Sequence, residues 1–123
     1  MLDDYVKANH IKAACIITCI GSLQQVALRY ANQSDVETIH GNFEIVSLTG
    51  TLAESGSHLH VAISDSTGNM IGGHLKEGSI IYTTAEIVIG ILPEVAYERE
   101  PDFTYGFKNY RLKPQRQSDS ITK

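Results

Sequence analysis

His58-Leu59-His60-Val61-Ala62-Ile63-Ser64, then Asp65-Ser66-Thr67-Gly68-Asn69, then Met70-Ile71-Gly72-Gly73-His74-Leu75: this stretch decides the fold. Its first seven residues alternate strictly. Leu59, Val61 and Ile63 lie on one side, and His58, His60, Ala62 and Ser64 on the other. That period of two is a half-buried strand. The polar run that follows, with Gly68 suited to positive φ, is a hairpin turn, and Met70 to Leu75 returns as the second strand. Centring the hairpin on Asp65–Asn69 pairs residues whose numbers sum to 134. His60 then faces His74, with His58 two residues along the same face. Opposed residues have Cβ atoms ~5 Å apart, so three imidazoles reach one point. A slip of one residue would send His74 to the other face.

Working outward, Leu2 to His10 is expected to be a short helix. Leu2, Tyr5 and Val6 share a face, and Asp3 and Asp4 occupy the first turn, where the helix dipole favours anions. Lys12 to Ile20 reads as a buried strand, broken by Gly21-Ser22. Leu23 to Ala31 alternates as a second strand, and a polar loop follows from Ala31 to Gly41, with room for a short strand around Thr38-Ile39. Phe43 to Leu52 is a strand with Gly50 at a bulge or close approach. Further strands are expected over Ile80 to Ile91, over Val95 to Arg99 and near Tyr110 to Leu112. The sum is an α+β domain, mainly an antiparallel sheet of about seven strands flanked by few short helices. It occupies residues 1–112 as a single domain, and residues 113–123 form a polar basic tail.

Ile87, Val88, Ile89, Ile91 and Leu92 put apolar groups on both faces of one strand. One short helix cannot cover them, so another copy of the chain is the expected partner.

The 123 residues are 42% apolar and 20% charged, an ordinary globular composition. Ten Lys and Arg against fourteen Asp and Glu give a net charge of −4. The balance is uneven: residues 1–98 hold four basic and eleven acidic side chains, whereas residues 99–123 hold six and three. An acidic body repels phosphate, so any DNA contact is expected to be weak and to run through the basic C-terminal tail. No apolar run is long enough to cross a bilayer. Cys15 and Cys19, with no signal peptide ahead of them, point to reduced, buried thiols in a cytoplasmic protein. No nucleotide-binding loop, nucleophile elbow or helix-turn-helix pattern occurs, and no small-molecule ligand is legible.

Three neutral imidazoles suit zinc or another borderline divalent metal, with a fourth position for water, a carboxylate or substrate. Glu86 and Glu77 are candidate supporting or fourth ligands. A solvated polar sheet face is the plain alternative. Gly72-Gly73, beside His74, allows close approach of a backbone or ligand, or marks a bulge.

Several segments together resemble the plants-and-prokaryotes conserved domain, which stands alone in prokaryotes and follows AT-hook motifs in plant nuclear proteins. They are Ala14-Cys15-Ile16-Ile17-Thr18-Cys19-Ile20-Gly21-Ser22, Leu28-Arg29-Tyr30-Ala31-Asn32 and Gly41-Asn42-Phe43-Glu44-Ile45-Val46-Ser47-Leu48-Thr49-Gly50-Thr51-Leu52. His58-Leu59-His60, Gly68, Gly72-Gly73-His74-Leu75, Thr83-Thr84-Ala85-Glu86 and Tyr97-Glu98-Arg99-Glu100 complete the set. The resemblance implies a homotrimer and the prokaryotic-type pattern of three histidines, here His58, His60 and His74. It also implies partner or trimer contacts through Gly41, Phe43, Glu44 and Ile45. Members usually carry a strand ahead of the first helix, whereas this chain begins at the helix, so one sheet edge is expected to lack its strand. The function implied is a trimeric binding or regulatory module with a metal site. A DNA-associated regulator is the alternative, although no Arg-Gly-Arg core occurs; a small metal-dependent enzyme, with Glu86 or Glu77 as base, ranks third.

Overall fold

The computed structural model describes residues 1–101 and 108–114. The chain divides into two compact units. One comprises Met1–Ala14, Leu52–Ser57 and the described part of Ile91–Lys123; the other comprises Cys15–Thr51 and His58–Gly90.

The first unit contains the helix α1 (Leu2–Ala8). It ends two residues earlier than its apolar spacing suggests. Asn9 folds its side chain back onto the Tyr5 carbonyl at 2.8 Å, and His10 takes a left-handed φ of +52°, which no helix continues. Val6 anchors the helix at 0% exposure, while Tyr5, expected on the same face, is exposed. The strands β6 (Val95–Pro101) and β7 (Lys108–Pro114) form an antiparallel pair. Lys113 and Pro114, expected to open the tail, close β7; the rest of the tail lies outside the described residues. The backbone N–H groups of Leu92 and Tyr97 donate to the Ala13 and Lys12 carbonyls, holding this unit's separate segments together.

The second unit is built on a five-stranded sheet of β1 (Ala14–Arg29), β2 (Glu37–Leu52), β3 (His58–Ser64), β4 (Met70–Leu75) and β5 (Ile80–Ile91). Their order is β2-β3-β4-β1-β5, and β1 also pairs with β2, so four strands form a closed circuit of hydrogen-bonded neighbours. The β1–β4, β2–β3 and β3–β4 pairs are antiparallel. With α1 the only helix among the described residues, the architecture is the expected antiparallel-dominated α+β one.

The two strands expected on either side of Gly21-Ser22 are one strand of 16 residues. The glycine is buried where β1 crosses Thr84 and Ala85 of β5, so close that a Cβ would collide with their backbone. The Ser22 hydroxyl bonds the Thr83 hydroxyl at 2.7 Å. Here the glycine is a contact surface, not a chain break. β2 likewise runs unbroken from Glu37, joining the short strand expected around Thr38-Ile39 to the one expected from Phe43. Its irregularity falls between Ile45 and Ser47, while Gly50, at φ +147°, is the close approach to His58 and Leu59.

Leu59, Val61 and Ile63 are 9, 4 and 0% exposed, as the alternation requires. They pack in the unit whose other buried side chains include Val26, Leu28, Phe43 and Leu48. That buried row holds β3 in one orientation and sends the intervening side chains to the opposite face.

Candidate metal centre

The β3–β4 turn fixes which residues meet. The Asp65 carboxylate accepts from the Thr67 and Asn69 backbone N–H groups at 2.9 and 3.0 Å and from the Thr67 hydroxyl at 2.7 Å. These bonds hold its pKa below the usual carboxylate value, the Thr67 hydroxyl contributing most. Gly68 supplies φ +84°. The resulting register runs without a shift from Ser64↔Met70 through Ala62↔Gly72 to His60↔His74, the expected sum of 134. Gly72 and Gly73 are therefore not a bulge. A Cβ on Gly72 would lie 2.7 Å from the Val61 carbonyl oxygen, and one on Gly73 would lie 2.9 Å from that of Arg29.

His58, His60 and His74 converge. Their ring centroids are 5.2 Å apart for His58–His60, 4.7 Å for His58–His74 and 5.4 Å for His60–His74. One nitrogen from each lies within 4.8 Å of the other two. Two nitrogens on one tetrahedral zinc, ~2.1 Å from each, are about 3.4 Å apart, a difference that rotation about the histidine side-chain torsions covers. His74 is driven to a pKa of about 4, first by burial and then by the charges of Lys76, His58, Arg29 and His60. It is neutral at neutral pH, which is the ligating form. Donor type, spacing and protonation thus fit a borderline divalent ion.

Neither proposed glutamate joins this group. Glu77 lies in the turn after β4, and Glu86 sits on β5 close to where that strand crosses Gly21. Of the four residues expected in partner contacts, Phe43 is 6% exposed and belongs to the core, and Ile45 is half-buried opposite Ile63. Gly41 and Glu44 are exposed on β2.

Residue-by-residue reading of the hairpin missed the surroundings of the histidines. Thr49 and Thr51 pair with His60 and His58 across β2–β3, and Arg29 pairs with His74 across β1–β4. Directly paired residues share a face, so these side chains stand beside the imidazoles. The β2 threonines were legible in the alternation of Thr49 and Thr51 around Gly50. The Arg29 pairing was not, because it joins strands distant in sequence. His10 and His40 lie elsewhere: His10 bonds Glu54 at 3.1 Å, with Lys12 on the other carboxylate oxygen, and His40 is exposed on β2. Cys15 and Cys19 are both free thiols; burial raises the pKa of Cys19 and makes it a poor nucleophile.

Comparison with known proteins agrees with this construction. The model of the Plants and Prokaryotes Conserved (PCC) domain matches residues 1–93. The bifunctional protein GlmU of a Synechococcus strain is 36% identical over 113 residues, 92% of this chain but 18% of that protein, so the chain spans under a fifth of the relative's length. AT-hook motif nuclear-localized protein 8 of Arabidopsis thaliana is 28% identical over 88 residues, 64% of this chain and 23% of its own. Among solved structures, a hypothetical protein from Salmonella enterica is 43% identical with a TM-score of 0.91, covering 94% of this chain and 83% of that one. A candidate DNA-binding protein from Bacteroides thetaiotaomicron is 26% identical with a TM-score of 0.75, covering 89 and 80%. A metal-containing protein from Archaeoglobus fulgidus, at 24% identity and a TM-score of 0.77 over 89 and 81%, shares the fold. On the strength of the domain match, and of a hairpin whose strands, turn and histidines fall where that resemblance required, the chain belongs to the plants and prokaryotes conserved domain family.

Proposed function

We propose that this chain is a cytoplasmic, homotrimeric binding or regulatory module that holds one divalent metal per chain on His58, His60 and His74. The observation that carries the reading is the convergence of three imidazoles with nitrogens within 4.8 Å of one another. The metal, zinc by donor type, would supply charge and ligand exchange at a position the three histidines leave open. The threonines beside them are neutral and would not compete as ligands. The trimer is supported by exposed apolar side chains that solvent does not favour: Ile17 and Ile20 at 64 and 63%, and Val88, Ile91 and Leu92 at 51, 52 and 41%.

Elemental analysis of untagged protein tests the metal. One equivalent per chain is expected, dropping below a tenth in each of His58→Ala, His60→Ala and His74→Ala, and unchanged in His10→Ala and His40→Ala. Metal content unaffected by all three substitutions would leave a polar sheet face and nothing more.

A DNA-associated regulator is the second reading. It is favoured by one relative's description as a candidate DNA-binding protein and opposed by the acidic body of the chain.

A further inference from the structure

Two cationic residues neighbour His74. Arg29 is the direct cross-strand partner of His74, so its side chain leaves the sheet on the histidine face. Lys76 follows His74 by two residues, just past the end of β4, and its backbone N–H donates to the Ala27 carbonyl at 2.9 Å, one more rung in the register that pairs Arg29 with His74. The charges of both residues act on the His74 imidazole. Among the described residues neither forms an ion pair. Arg29 donates from Nη1 to the Gln33 carbonyl at 3.2 Å, which fixes one corner of its planar fork. The ligating cluster itself contains no carboxylate.

A divalent ion on three neutral imidazoles keeps its full charge. Beside a guanidinium and an ammonium, the site then gathers four positive charges, with no carboxylate in the ligating group and no ion pair on either cation among the described residues. Such a site attracts and holds negative oxygen ligands. We propose that the tri-histidine centre is a receptor for a small oxyanion, a phosphate or carboxylate group. In this assignment Arg29 is its bidentate donor and Lys76 its second cation. The assignment rests on the metal reading above. It names the ligand class of the site: a small acid or phosphoester, not a neutral or cationic molecule. Arginine supplies the geometric half of the recognition, since its fork matches two oxygens of one anion.

The test uses the full chain loaded with cobalt(II), whose visible absorbance reports both occupancy and coordination. Inorganic phosphate and acetate are titrated separately into wild type, Arg29→Gln, Arg29→Lys and Lys76→Gln. Gel filtration checks that cobalt stays on the protein. All four proteins should bind cobalt with similar affinity. One or both anions should shift the wild-type spectrum, and the stronger of the two identifies the oxyanion chemistry. Its affinity should fall about tenfold in Arg29→Gln and less in Lys76→Gln, with Arg29→Lys between Arg29→Gln and wild type. A cobalt spectrum that responds to neither anion overturns the inference and leaves the metal site standing. So does an anion affinity unchanged in both Arg29→Lys and Lys76→Gln, the two variants least disruptive to folding. Failure to bind cobalt at all refutes the metal reading and takes the inference with it.

Discussion

Replacing Gly72 with Ala tests whether the backbone spacing of the β3–β4 hairpin is what assembles the histidines. The new Cβ would stand 2.7 Å from the Val61 carbonyl oxygen and 3.3 Å from the Ala62 Cα, both backbone atoms that no side-chain rotation can move aside. Ordinary contact begins near 3.4 Å, so the ladder must open by about 0.7 Å. His60 and His74 pair two residues further along the same ladder, so the displacement reaches them. A ligand set tolerates roughly 0.5 Å of misplacement before it suffers, and the strand shift exceeds that. Metal affinity should fall between ten- and a hundredfold, the range seen when groups that orient metal ligands are disturbed. Overpacking of this kind costs about 1–3 kcal/mol, and for a chain of this size each kcal/mol moves the melting temperature by about 4 °C. A drop of roughly 4–12 °C is therefore expected as well. Gly68→Ala in the same hairpin is the control. Its Cβ would meet nothing within 4 Å, and only its φ of +84° is strained. It should lose about 1–2 kcal/mol of stability and none of its metal affinity. Isothermal titration with zinc, alongside thermal melts of both variants, makes the comparison. If Gly72→Ala binds zinc as tightly as wild type while melting lower, the spacing argument fails and the imidazoles tolerate a looser ladder.

Acid should weaken the metal-free protein. His74 has a folded pKa of about 4 against an ordinary 6.5, so between those values the unfolded chain binds more protons, and stability falls as pH drops through the window. Urea midpoints of wild type and His74→Asn at pH 7 and pH 4.5 check this, the variant losing less; equal losses would refute it. Light scattering at low micromolar concentration should give three times 13.5 kDa. Ile89→Asp should lower both the mass and the melting temperature, and a well-folded wild-type monomer would refute the trimer. Duplex DNA binding should be weak, fall steeply with salt and disappear when residues 113–123 are removed. Tight, sequence-selective binding that survives the deletion would show that the acidic body presents a basic face after all.

The hairpin carried most of the legible information. Alternation of Leu59, Val61 and Ile63 oriented β3, the Asp65–Asn69 turn set the register, and the two together placed three histidines on one face with their partners assigned. Such local rules suffice because a hairpin's pairing is fixed by its own turn. The same logic failed at Gly21-Ser22, where a small residue serves a crossing strand instead of ending its own.

Pairings between distant strands obey no local rule. Arg29 and His74 are 45 positions apart. Nothing in either neighbourhood says that β1 runs beside β4, nor that β5 pairs with β1. Those relations follow from how buried faces fill the interior, a property of all the strands at once. Periodicity and turn chemistry could therefore name the three histidines in advance, while the charges beside them became visible only when the sheet closed.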